Sequence, residues 1–93
     1  MARIFQTSSM AQADLLLNIV PARDMADLLV HRVSSMGLAQ GDALWFITRN
    51  RQEATVSVHF TSRNLAQVTI FFVDSSGEAG WQKASLHRGR LGG

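Results

Sequence analysis

A short phrase recurs along this chain about every 13 residues, and that period restricts what the chain can fold into. Aligned on an alanine, the copies are TSSMAQA ending at Ala13, VPARDMA at Ala26, VSSMGLA at Ala39, TRNRQEA at Ala54, FTSRNLA at Ala66 and VDSSGEA at Ala79. The alanines are 13, 13, 15, 12 and 13 residues apart. Similar apolar runs follow them: Asp14-Leu15-Leu16, Asp27-Leu28-Leu29, Val56-Ser57-Val58 and Val68-Thr69-Ile70. The spacing of 15 comes from a longer copy, QGDALWF, after Ala39, and the run after Ala79 is cut to Gly80-Trp81. Each unit reads as apolar strand, polar turn, small residue, apolar strand. The period is too short for the helical repeats, which need about 20 residues or more. It matches a strand of about five residues plus a turn. Ser, Asn, Asp and Gly in the turns can bond their own backbone or tolerate left-handed angles. Six alanines in register mark places where two chain segments pass closely.

The second half reads as strands directly. In Thr55-Val56-Ser57-Val58-His59-Phe60 the apolar residues alternate, as one buried strand face requires. Residues 68–73, VTIFFV, are β-branched and aromatic, which suits a strand covered on both faces. Residues 22–36 conflict with this pattern when read alone. Met25, Leu28, Leu29, Arg32, Val33 and Met36 fall at helical spacing, with Asp24 to cap the start and Gly37 the end. The register predicts strand, turn, strand instead, because Ala26-Asp27-Leu28 repeats Ala13-Asp14-Leu15.

Ninety-three residues make one domain, and 46% hydrophobic against 17% charged residues is a globular composition. There is no cysteine, hence no disulfide, thiol nucleophile or thiolate metal site. The longest apolar runs, such as Ile70-Phe71-Phe72-Val73, fall far short of the roughly 18 residues of a membrane span. Gln6, Thr7, Ser8, Ser9, Gln12 and Asp14 interrupt the N-terminal segment, so no secretion signal is read there. The expected compartment is the cytoplasm. The net charge of +2 is uneven: residues 1–82 hold six Arg against seven Asp and Glu, whereas residues 83–93, KASLHRGRLGG, hold three bases and no acid. The basic balance therefore does not imply a basic face on the body, and the tail is expected to be flexible and solubilising.

The phrases Gln12-Ala13-Asp14-Leu15, Gly41-Asp42-Ala43-Leu44-Trp45-Phe46 and Ala79-Gly80-Trp81 resemble the septoil-knot domain family of small bacterial proteins over residues 3–82. The mid-chain hexapeptide is the most specific of them. The chain departs from the family's tyrosine- and lysine-rich turns: it has no tyrosine, and Pro21 occupies one turn. The resemblance implies a compact all-β domain tied into a seven-crossing torus knot. It implies no catalytic residues. General rules of topology make knots very rare, yet near-equal repeats are what regular winding requires. Slow folding and kinetic stability would follow.

The chain offers several candidate chemical groups. His31, His59 and His87 are each 28 residues apart, but duplication explains the first two, and a shared metal site is disfavoured. Ser8-Ser9, Ser34-Ser35 and Ser75-Ser76 lie in turns without the G-x-S-x-G elbow of a nucleophilic serine. Asp14 and Asp27 hold equivalent repeat positions and read as structural; Asp42 and Asp74 are the other aspartates weighed as part of a carboxylate pair. Arg23, Arg49, Arg51 and Arg63 in the turns could form an anion-binding rim. Trp45 and Trp81 read first as core and second as a binding face. No phosphate loop or dinucleotide fingerprint occurs.

The sequence thus predicts an all-β domain over residues 1–82 built from about six repeats, with a basic tail over 83–93. Its expected role is a non-enzymatic, kinetically stable interaction or structural module. The alternative is a binding module for a small ligand, metal or anion, using turn arginines or His31 and His59. No cofactor, catalytic residue or metal ligand is assigned. A protein partner and a monomer are expected, and a membrane or nucleic-acid partner is not.

Overall fold

The computed structural model describes residues 2–92. Six parallel strands form a closed barrel: β1 (Ala2–Gln6), β2 (Leu15–Ile19), β3 (Leu28–Arg32), β4 (Leu44–Ile47), β5 (Val56–Phe60) and β6 (Val68–Phe72). A two-residue strand, β7 (Gly80–Trp81), adds antiparallel to β3. The helices are single 3₁₀ turns of three residues, at Met10–Gln12, Arg23–Met25, Met36–Leu38, Arg51–Glu53 and Ser76–Glu78. The fold is therefore all-β, as the repeat predicts. The helical spacing over 22–36 resolves into a 3₁₀ turn, β3 and a second 3₁₀ turn.

The strand order is β4-β1-β5-β2-β6-β3, closed by β3 pairing with β4. The chain places β1, β2 and β3 in one lap, then interleaves β4, β5 and β6 between them in a second. Every crossover but one thus passes over an intervening strand. The exception is β3 to β4, and there lies the long copy with the 15-residue spacing. The irregular repeat marks the junction between laps. Crossovers between parallel strands usually take a dozen residues or more. Here they take seven to eleven, compact because each includes a tight turn rather than a helix.

The register is uniform around the barrel. The first residue of one strand faces the third of the next: Val56 faces Ile4, Leu15 faces Val58, Val68 faces Leu17 and Leu28 faces Ile70. A two-residue offset preserves the alternation of side chains, so every strand can carry the same inward pattern. Equivalent positions then lie at one level of the barrel. The middle level is Ile4, Leu17, Val30, Trp45, Val58 and Ile70, all 0% exposed. The level at the strand starts is Ala2, Leu15, Leu28, Val56 and Val68, also buried, with Ala43 packed against it. A second, outer cluster of Val20, Ala26, Leu29 and Val73 packs the crossovers onto the barrel wall, with Phe71 against it.

The residue after four of the six repeat alanines has a common task. Asp14, Asp27, Thr55 and Gln67 each donate their N–H to the carbonyl of the second residue of a neighbouring strand: Ser57, Thr69, Arg3 and Leu16. Their side chains accept the N–H of that same residue, at 2.8, 3.1, 3.0 and 3.0 Å respectively. The entries of β2, β3, β5 and β6 are thereby locked to a neighbouring strand by a reciprocal pair of bonds. Asp, Thr and Gln serve at these four entries because each offers a side-chain acceptor oxygen.

Candidate functional site

The two ends of the barrel differ. At the ends of the strands, the alternation brings Gln6, Ile19, Arg32, Ile47, Phe60 and Phe72 to one level: each is the fifth residue of its strand, on the inward parity, or the equivalent in the shorter β4. These six residues line an open cavity of about 240 Å³. Ile19 is 49% exposed and Ile47 42% exposed, so this level is a mouth rather than core. Trp45 lies one level below, its ring edge-on to Phe72 at 5.9 Å. The Arg32 guanidinium stands over the Phe72 ring, 5.5 Å from its centroid, within cation–π range. Arg32 and Phe72 also line an adjoining cavity of about 280 Å³ with His31, Val73 and Asp74.

The opposite end is plugged. Residues 85–92 fold back beneath the strand starts, and Leu91 is 0% exposed within the main core. The Leu91 carbonyl accepts from Thr55 Oγ1 at 2.9 Å, and Arg90 reaches the Asp14 carbonyl at 3.4 Å. Asp42 clasps this segment. One carboxylate oxygen accepts N–H groups of Leu91 at 3.2 Å and Gly92 at 2.9 Å. The other accepts from the Gly89 N–H and from Trp81 Nε1, the latter at 2.8 Å. Its backbone carbonyl takes the Trp45 indole N–H at 2.6 Å. Gly41, at φ 57°, makes the left-handed turn that presents Asp42. The sequence expectation for 83–93 was a flexible extension; the structure instead seats residues 85–92 on the barrel, because Leu91 finds an apolar place and Asp42 satisfies the segment's backbone.

The longer copy also explains β7. It delays β4, which bonds only His31 and Arg32 of β3, and leaves that edge of Leu28 and Leu29 open. Trp81 and Gly80 pair with Leu28 and Leu29 and cover it. The two most specific phrases, Gly41–Phe46 and Ala79–Trp81, thus meet at one seam. A family model for the 7(1) septoil knot domain matches residues 1–82. The chain belongs to the septoil-knot domain family. No curated protein and no solved structure matches it. In this septoil-knot chain the matched segment ends just after β7, so the plug lies outside the match.

The septoil-knot barrel separates most of the residues singled out in the sequence. His31 and His59 are both fourth in their strands and both make one bond, Nδ1 to the carbonyl of Val73 at 3.0 Å and of Thr7 at 2.9 Å. Strands β3 and β5 are not neighbours, and both imidazoles sit on the outward parity. Duplication accounts for their spacing. His87 bonds Arg90 in the plug. Among the described residues no group of three or more His, Cys, Asp or Glu is placed to hold a metal. Ser9, Ser35 and Ser75 stand at the N-terminal entries of 3₁₀ turns without a side-chain capping bond. Arg23 pairs with Glu78 at 3.6 Å, and Arg51 bonds the Gln12 carbonyl. Trp45 is core, while Trp81 is half-buried against it. No described helix is long and apolar enough to cross a membrane.

Sequence reasoning passed over the mouth. Its signal was a column of the repeat: Ile19, Arg32, Phe60 and Phe72 each lie six residues after a repeat alanine, and Ile47 lies eight after Ala39 in the long copy.

Asp42 carries a distinct electrostatic signature. Burial pushes its carboxyl up, but bonds from Gly89, Trp81, Gly92 and Leu91 favour the charged form more, leaving its pKa below the ordinary 3.8. A carboxylate depressed by folding adds stability that is complete above its unfolded pKa and lost as pH falls through the folded one. Asp42→Asn should therefore be less stable than wild type by a constant margin above about pH 4, and the margin should shrink in stronger acid. Urea unfolding of both proteins across this range checks it. A margin that grows on acidification would show the clasp is not ionic.

Proposed function

We propose that this septoil-knot domain is a non-enzymatic, slowly unfolding binding module whose working surface is the open mouth. One observation carries the reading. The inward pattern that makes core at two levels ends at a third level where two isoleucines are exposed and two phenylalanines half-buried around a single charge. Barrel mouths are a recurrent place for small-molecule sites, and here the other end is already filled by Leu91. The charge is a guanidinium, a planar fork of donors without an acceptor, which orients an anion but does not serve as a general base. That favours binding over catalysis.

Slow folding is supported by the pairing, and slow unfolding by the knot of the family. Strand entries are bonded to residues 42 to 52 positions away, so native contacts close long loops. A chain knotted like its family must also unthread. Unfolding in concentrated guanidinium should take hours; completion within seconds would remove kinetic stability from the reading. The binding role is tested by native mass spectrometry of the chain gently purified from its own cells. Wild type should carry a small-molecule adduct that is absent when Ile47→Trp fills the mouth. An adduct that survives this substitution, or bare wild-type protein, would overturn the mouth as the site.

A further inference from the structure

The mouth carries one full charge, and that charge selects among ligands. Of the six residues at this level only Arg32 is ionised. Its ring contact with Phe72 holds the guanidinium over an apolar floor. No Asp or Glu oxygen of the described residues lies within 4.0 Å of it; the ion pairs present are Arg23–Glu78 and Lys83–Asp27. Asp74 shares the adjoining cavity but does not pair with it. The planar fork of donors matches a carboxylate in shape and charge. Beside it, Ile19, Ile47, Phe60 and Phe72 offer hydrocarbon to a ligand body. The volume of about 240 Å³ lies below the usual range of drug-sized sites, so that body is small.

We infer that the open mouth binds a small apolar monocarboxylate, its carboxylate on Arg32 and its hydrocarbon on the isoleucines and phenylalanines. The inference rests on the mouth being the binding surface and adds the class of ligand. An inorganic anion would meet Arg32 but leave the apolar walls wet. An amine would place its charge against the guanidinium. A neutral alcohol would fill the walls and leave Arg32 without an anion.

Those differences define the test. Octanoate, 1-octanol and octylammonium are titrated into the full chain, followed by NMR. Octanoate should move the Ile19, Ile47, Phe60 and Phe72 resonances and bind about tenfold or more tightly than 1-octanol, with octylammonium weakest. Arg32→Gln should remove the preference for octanoate and leave 1-octanol within about twofold of wild type. Arg32→Lys, which keeps the charge without the fork, should fall between, so a fold defect in one variant does not decide the matter. Equal binding of octanoate and 1-octanol at the mouth would overturn the carboxylate class while sparing the binding reading. No shift at the mouth with any of the three would overturn both. Sedimentation at the same protein concentration tests self-association. A dimer dispersed by Ile47→Lys would assign the mouth to a second copy and overturn the inference.

Discussion

Trp45→Ala is expected to cost about 3–5 kcal/mol, enough to unfold much of a marginally stable domain. Three losses coincide at this position. The indole is 0% exposed at the middle level of the barrel, so its removal empties the centre of a six-residue ring. Its edge-on contact with Phe72 disappears, which loosens the mouth from below. Its N–H bond to the Asp42 carbonyl is also lost, which loosens the seam. The five other residues of the level come from strands locked at uniform offsets, and such a wall cannot collapse to fill the space. Trp45→Phe keeps much of the ring volume and should recover more than half the loss. Equilibrium denaturation of both variants is the measurement. A cost under about 1 kcal/mol for alanine would mean that the barrel centre is not close-packed.

Truncation after Gln82 should lower the melting temperature by about 10 °C or more, although it leaves the family-matched segment whole. Leu91 is as fully buried as any residue in the chain, and losing a buried leucine alone costs about 2–5 kcal/mol. Truncation also exposes the strand starts and leaves the Asp42 carboxylate with only the Trp81 side chain of its former partners. Leu91→Ala in the full chain should account for most of the effect, because the basic residues Lys83, Arg88 and Arg90 are exposed and their pairs contribute little. Thermal melts of wild type, truncation and Leu91→Ala separate the contributions. An unchanged melting temperature on truncation would return residues 83–93 to a solubilising tail.

The plug shows where sequence reading reached its limit. KASLHRGRLGG has no apolar periodicity, and its bases suggest a solvated end. What seats it is one leucine and one carboxylate 49 residues apart, Leu91 and Asp42, and no local pattern records such a pair. Asp42 was visible as part of a specific phrase, yet its role depends on Trp81, Gly89 and Gly92 arriving beside it. The mouth was hidden for a different reason. Its residues occupy one column of the repeat, but Arg32 and Ile47 look like ordinary ends of amphipathic strands until the barrel closes and places them on one rim.

The sequence by itself determined the unit: a strand of about five residues, alternating plainly over 55–60, then a polar turn and an alanine. Alternation, turn chemistry and the short period are local properties, and local physics is enough to read them. Even residues 22–36, where helical spacing competed, followed the register, since neighbouring copies supplied the pairing partners a lone helix would have lacked. Only the tertiary structure decided how six such units close. The two-lap interleaving, the seam between β3 and β7, the plug and the open mouth all depend on bonds across 36 or more residues or on which strands become neighbours. Those choices are set by the offset that lets every inward residue share one core, a condition on the whole barrel that no single copy of the repeat contains.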